Sequence, residues 1–309
     1  MYKIYFLILN YNTYDETIKC IRSIKTLRTE NNFSIKILVV DNHSTDNSYE
    51  QLVLYQQNQA SDYIILRRME SNVGFSKANN RAYQMIKEME EGLKYIVICN
   101  SDIEFRQPLF LKILSEEYEK SKFHLCGPDV FCENDLDKGW RGHQSPGYPW
   151  ESSKMYVKSQ IYMSGIWIQK LNKKSIRKIE FIKYMFCKLL SLILKATMQT
   201  LYSGWRRKYR TNVALQGSCI ILSERFIKGE NEVFTPETNF YFEELLLYNR
   251  VKQKGYISVY NPKMKVYHMQ GRATEKLSKE NKINREFFVA ENIQESAKKY
   301  LIEIEKEYK

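Results

Sequence analysis

The chain has 309 residues, 43% hydrophobic and 27% charged, enough for one large or two closely fused domains around a real core, which excludes a disordered chain. Its formal net charge is +12, yet residues 170–210 alone hold twelve Lys and Arg against one acid, Glu180, so the basicity is a local patch. The six cysteines, Cys20, Cys99, Cys126, Cys132, Cys187 and Cys219, lack paired metal-binding spacing and point to reduced structural thiols; Cys126 and Cys132 with His124 and His143 match no standard zinc site.

The opening "MYKIYFLILN" lacks the basic, apolar and small-residue layout of a signal peptide and reads as a first strand, so the chain is expected to stay in the cytosol. "SIKILVVDNHSTDNS" is a second apolar strand, with a helical stretch "TYDETIKCIRSIKTL" between the two. Strand, helix, strand implies a parallel pair. "YIILRRMESNVGFSKANNRAYQMIKEM" repeats the pattern around a Gly-containing turn, and "KYIVICNSDIEF" supplies a further strand. Runs apolar throughout and alternating with helices predict an α/β sheet covered on both faces.

In such sheets ligands collect at the carboxyl ends of the strands, where "NYN", "DNHSTD", "NVGF" and "NSD" all fall. A carboxylate there can hold a divalent cation that in turn binds a diphosphate. Singly, Asp41 and Asp102 read better as caps of the following turns, which Asp commonly provides. At successive strand ends, the two together favour a site.

Further along, "DKGWRGHQSPGYPW" is a Gly, Pro and aromatic loop whose Trp140 and Trp150 either stack on sugar faces or pack. The basic patch then carries "SIRKIEFIKYMFCKLLSLILKATMQTLYSGWRRKYR". On a helical wheel Ile179, Ile182, Phe186, Leu189, Leu190 and Ile193 share a face, with Arg177, Lys188, Ser191 and Lys195 opposite. The run is too short and too charged to span a bilayer and is expected to lie on an anionic membrane surface; covering an acceptor cleft or pairing two subunits in a homodimer are the competing readings. The final "KENKINREFFVAENIQESAKKYLIEIEKEYK" reads as a surface helix.

The ordered series "ILNYN", "VVDNHSTDNS", "SNVGFSKANNRA", "CNSDIEF", "LQGSCIIL", "FYFEELLLYNRVKQKGY" and "VYHMQGRAT", from residue 4 to about residue 274, resembles the family 2 inverting glycosyltransferases of GT-A fold, in the rhamnosyltransferase-like and galactofuranosyltransferase-like branch of bacterial polysaccharide assembly. The resemblance implies a nucleotide-sugar-binding half over 1–125, an acceptor-binding and catalytic half over 126–275 with the helical insertion 170–210, and a C-terminal helix over 276–309. It implies transfer of a hexose from a UDP- or dTDP-sugar to a glycan acceptor carried on polyprenyl diphosphate, with Mn²⁺ or Mg²⁺.

By the same resemblance Asp41 accepts from the imide of the base, with Asn10 and Tyr11 against it. Asn72, the Gly74 turn and Lys77 lie near the diphosphate, although Lys77 also reads as a solvated helix lysine. Ser101 belongs to the donor site. Asp102 matches the last acid of the metal motif, whose first acid is here Asn100, and His268 either completes the metal site or donates to a backbone carbonyl. Of Glu243 and Glu244, the second takes the place of the base that accepts the acceptor's proton, and adjacent helix residues point about 100° apart, so only one faces the sugar well. Where the family has a further acid, this chain has Leu246. A nucleic-acid-binding role is set aside, because the basic residues interleave with a broad apolar face and no RNA-binding motif is present. A catalytically degenerate sugar-nucleotide-binding protein is the alternative that Asn100, Glu244 and Leu246 keep open.

Overall fold

A computed structural model of the chain describes residues 2–28, 33–59, 62–132, 146–147, 149, 153–173, 176–201, 204–236, 238, 240–269 and 282–306. The four strands expected from the first hundred residues are β1 (Tyr2–Asn10), β2 (Phe33–Asp41), β3 (Ile64–Arg68) and β4 (Leu93–Asn100). They pair in parallel in the order β3-β2-β1-β4. They are apolar without alternation because both faces are buried. Ile4, Phe6 and Ile8 enter the core beneath α1 (Tyr14–Lys25) and α2 (Ser48–Gln57), whereas Tyr5 and Leu7 enter the core beneath α3 (Phe75–Met89).

Past β4 the sheet changes direction. β5 (Ile103–Glu104), α4 (Phe110–Ser121) and β6 (Leu125–Cys132) follow, and after a helical excursion come β7 (Arg210–Thr211), β8 (Cys219–Ser223) and β9 (Ser258–His268). β8 lies antiparallel between β4 and β6, β9 runs parallel to β6, and β5 and β7 each pair antiparallel with β9. Strands from before and after residue 125 thus share one mixed sheet, parallel over β3-β2-β1-β4 and with helices on both faces, which is an α/β fold of GT-A type. None of the six cysteines forms a disulfide, and burial pushes the thiols of Cys20, Cys126 and Cys219 well up, as befits inert packing groups.

The helical excursion comprises α5 (Lys154–Leu171) and α6 (Lys178–Leu201). α7 (Glu224–Gly229) and α8 (Glu243–Gln253) flank the lead-in to β9, and α9 (Lys282–Lys306) ends the described chain. A third core joins Val157 of α5, Leu245 and Leu246 of α8, and Ala297, Tyr300 and Ile304 of α9. The expectation of a plain surface helix for the last segment is therefore corrected. Its packed apolar residues Ile293, Ala297, Tyr300 and Ile304 recur every three or four positions and join α5, from which they are separated by well over a hundred residues of chain. The family acid replaced by Leu246 has the same explanation: that position points at α5 and α9 and is 3% exposed. No helix among the described residues is long and apolar enough to cross a membrane. Trp140, Trp150 and His143 lie outside the described residues, as does the side chain of Lys195.

Candidate active site

The strand ends are level with one another: Asn10 pairs with Asp41, Asp41 with Arg68, and Leu9 with Asn100. Parallel register alone thus brings the polar tips to one edge. Asp41 is fully buried there and already supplied with donors: Asn10 Nδ2 at 2.7 Å, the Ser44 backbone N–H at 2.9 Å, the Ser44 hydroxyl, and Arg68 Nε at 3.5 Å. Asn10, also buried, gives its amide nitrogen to Asp41 and accepts at Oδ1 from Thr13 and Thr17 at 3.1 and 2.8 Å. A carboxylate without exposure and ringed by four donors locks the loop in place.

Around Asp41, other residues of the strand-end segments "NYN", "DNHSTD" and "SNVGF" organise the edge. Asn12 and His43 follow the first two strands with φ of 55° and 63°, in the left-handed region that non-glycine residues rarely adopt. Asn12 holds the facing loop by accepting from the Thr45 backbone N–H and donating to Thr45 Oγ1, at 2.9 and 3.0 Å. Tyr11 stands half-buried between these turns. Asn42 clamps the next loop, donating to Asn72 Oδ1 at 2.9 Å and accepting from Val73 N at 3.1 Å. Asn72 in turn accepts from Gly74 N at 3.1 Å. Gly74 sits at φ 80°, ψ 174°, which only glycine adopts without strain, and it delivers the backbone into the N-terminus of α3, where free N–H groups favour an anion. Lys77 is exposed on the first turn of that helix.

The second cluster forms where β4 ends. Ser101 Oγ shares a 2.9 Å hydrogen bond with Thr13 Oγ1, tying the turn to the start of α1. His268 is the partner of Ile103 in the β5–β9 ladder, and its Nε2 stands 3.1 Å from Asp102 Oδ1, both side chains 11% exposed. A small cavity beside them is lined by Glu16, Lys19, Asp102, Glu104 and Met269. The Asn100 N–H donates to Ser218 O at 2.9 Å, and a Cβ added at the neighbouring Gly217 would lie 3.7 Å from Glu244 Oε2. Glu244 is therefore set against the Gly217–Ser218 turn that holds the backbone of Asn100.

The loop that aims Glu244 is strained and held from two sides. Tyr241 and Phe242 occupy the left-handed region in succession, at φ 69° and 65°. From the sheet side, α3 fixes the lead-in: Asn80 bonds the backbone of Val233 and Phe234, and Ser76 bonds Thr238. From the other side, Ser296 of α9 donates to Phe240 O at 2.8 Å and Tyr300 packs its ring on Phe242. Glu243 turns inward and is 5% exposed, with Oε1 lacking a hydrogen-bond partner among the described residues. Burial first, and the Glu244 carboxylate second, push its pKa up to about 8. The two adjacent acids thus have different environments: Glu243 is buried, whereas Glu244 is half-buried at the turn.

The sequence model of the family described as glycosyl transferase family 2 matches residues 5–189, more than half the chain. The chain belongs to that family. Among solved structures, S. aureus TarS 1-349 superposes with a TM-score of 0.50 at 12% identity over 96% of this chain and 71% of that one. The mannosyltransferase PcManGT from Pyrobaculum calidifontis, in complex with GDP-Man and Mn²⁺, gives 0.52 at 10% identity over 96% and 73%. Both likenesses concern the fold. A TarS 1-349 complex with UDP-GlcNAc aligns over only 38% of that chain, with a TM-score of 0.36. No curated protein matches.

For a family 2 glycosyltransferase a divalent cation is the expected aid to the leaving diphosphate. Asp102 and His268 fit one side of such a cation, with a hard carboxylate oxygen and an imidazole nitrogen already converging at 3.1 Å. No third His, Cys, Asp or Glu joins them into a group of three among the described residues, so diphosphate and water oxygens would have to complete the coordination.

Proposed function

We propose that this family 2 glycosyltransferase is an inverting hexosyltransferase using a UDP- or dTDP-sugar, with Glu244 as the base. The observation that carries the reading is that Glu244 lies against Gly217, whose neighbour Ser218 holds the backbone of Asn100, two residues before Asp102 at the carboxyl end of a parallel strand. The role of the base and the uracil-type specificity rest on the resemblance. The GDP-Man bound by PcManGT keeps purine donors in the test.

In this reading Tyr11 and the clamped loops 42–45 and 72–74 receive the nucleotide, and the N–H groups of the first turn of α3, after Gly74, donate to phosphate oxygens. Asp102 and His268 would hold a divalent cation, Mn²⁺ or Mg²⁺, which would supply positive charge to the departing diphosphate. Glu244 takes the proton of the acceptor hydroxyl as that oxygen attacks the anomeric carbon from the face opposite the leaving group. Glu243, protonated near neutrality, spares Glu244 a second negative charge at its flank. The acceptor is a glycan on a polyprenyl diphosphate carrier.

The test is thermal stabilisation by a panel of UDP-, dTDP- and GDP-sugars with Mn²⁺ or Mg²⁺. A true donor at a hundred times its Kd adds about 2.7 kcal/mol of stability by mass action. Stabilisation by uridine or thymidine donors that is lost in Asp102→Asn is the expected result. A panel in which no nucleotide sugar shifts the midpoint contradicts the reading.

A further inference from the structure

α6 packs on α5 with the wrong side, by the usual rule of burial. Its half-buried side chains are Glu180, Tyr184, Cys187 and Ser191, a mostly polar stripe, and Tyr162 of α5 donates to Glu180 O at 3.1 Å. The apolar side chains face out instead. Between Ile179 and Ile193 nine of them are at least 41% exposed, with Phe186 at 64% and Ile182 at 60%. Plotted at about 100° per residue they fill an arc of roughly 180°, wider than the stripe the sequence suggested. Lys183 and Lys188, both exposed, stand at the two borders of that arc. A continuous apolar face of this size is not left to water by a stable protein.

The borders identify the occupant. A helix with an apolar arc flanked on each side by a lysine whose stem can run along the apolar surface is built to lie in the plane of a lipid interface, ring and chain below, ammonium groups at the phosphates. A second copy of α6 would bring the same lysine borders against each other, like charge on like charge. Crossing the bilayer is excluded by Lys178, Glu180, Lys183 and Lys188 within the helix. Lys170 and Lys173 before the helix and Arg207 and Lys208 after it, all exposed, add positive charge at both ends.

We propose that α6 is an interfacial anchor that seats the protein on an anionic bilayer, with Lys183 and Lys188 at the lipid phosphates, independently of the transfer reaction itself. The test is flotation of the full chain with phosphatidylcholine vesicles, plain or containing about 30% phosphatidylglycerol, since anionic surfaces attract basic residues at about 1 kcal/mol each. The wild type is expected to float with the anionic vesicles, less with the plain ones, and to be released by salt. Lys183→Ala with Lys188→Ala lowers the partition by about thirty-fold, and Phe186→Glu with Leu189→Glu abolishes flotation while the circular dichroism and donor-induced thermal shift stay unchanged. Absence of flotation overturns the proposal, as does flotation that both double variants retain. A wild-type dimer that Phe186→Glu with Leu189→Glu dissociates, with no vesicle binding, overturns it in favour of a second copy.

Discussion

Replacing Asp41 with Ala removes the acceptor on which Asn10, Ser44 and Arg68 converge, and leaves buried donors unpaired. The expected cost is about 3 kcal/mol, read as a lowered denaturant midpoint; a midpoint within error of wild type would return Asp41 to a purely ligand-facing role. Glu243 acts through protons. Folded, its pKa is raised to about 8, whereas unfolded it ionises near its ordinary value of 4.5, so between those values the folded chain binds more protons. Stability contributed by this group is therefore present at low pH and lost as pH rises through that window. Glu243→Gln removes the slope, and its midpoint should gain on wild type from about pH 5 to pH 8; parallel curves would show that Glu243 is ionised when folded. At this scale the sequence marked Asp41, Asp102, His268 and Glu244 as strand-end or loop groups. It was silent on Asn12, Asn42 and Arg68, whose roles depend on side chains from three separate loops meeting. Nor could it show the donors around Asp41, because a strand-end position does not reveal what its neighbours donate.

Elements differ in how far local pattern determines them. β1, β2 and β4 were legible because burial on both faces makes them largely apolar, and α1 and α3 carry a clear apolar stripe, whereas α2, which buries only Ser48 and Leu52, does not. α9 was not, since its buried face is meaningful only against α5 and α8. Packed there, α9 closes on the strained 240–242 turn through Ser296 and Tyr300. Tyr300→Ala should cost about 3 kcal/mol of stability and, at temperatures where the chain stays folded, lower turnover more than donor affinity, because the donor loops lie at other strand ends. Equal loss of both, measured by steady-state kinetics beside donor-induced thermal shift, would mean that α9 serves stability alone.

For the whole molecule, one sheet edge gathers clamped loops able to receive a nucleotide and an Asp–His pair able to hold a cation, with a carboxylate set against the Gly217–Ser218 turn that holds the backbone of Asn100. The family, the sheet and the clustering of strand ends were readable from the ordered motifs; the approach of Glu244 to Gly217 was not, because it joins the first turn of α8 to the loop that precedes β8. A transfer centre organised in this way should lose chemistry and keep binding when the base is neutralised. Release of nucleoside diphosphate from the donor identified by thermal shift, followed for wild type and Glu244→Gln, is expected to fall about 10²–10⁴-fold in the variant with the donor-induced stabilisation unchanged. Release at the wild-type rate by Glu244→Gln would contradict the assignment of the reaction to this edge.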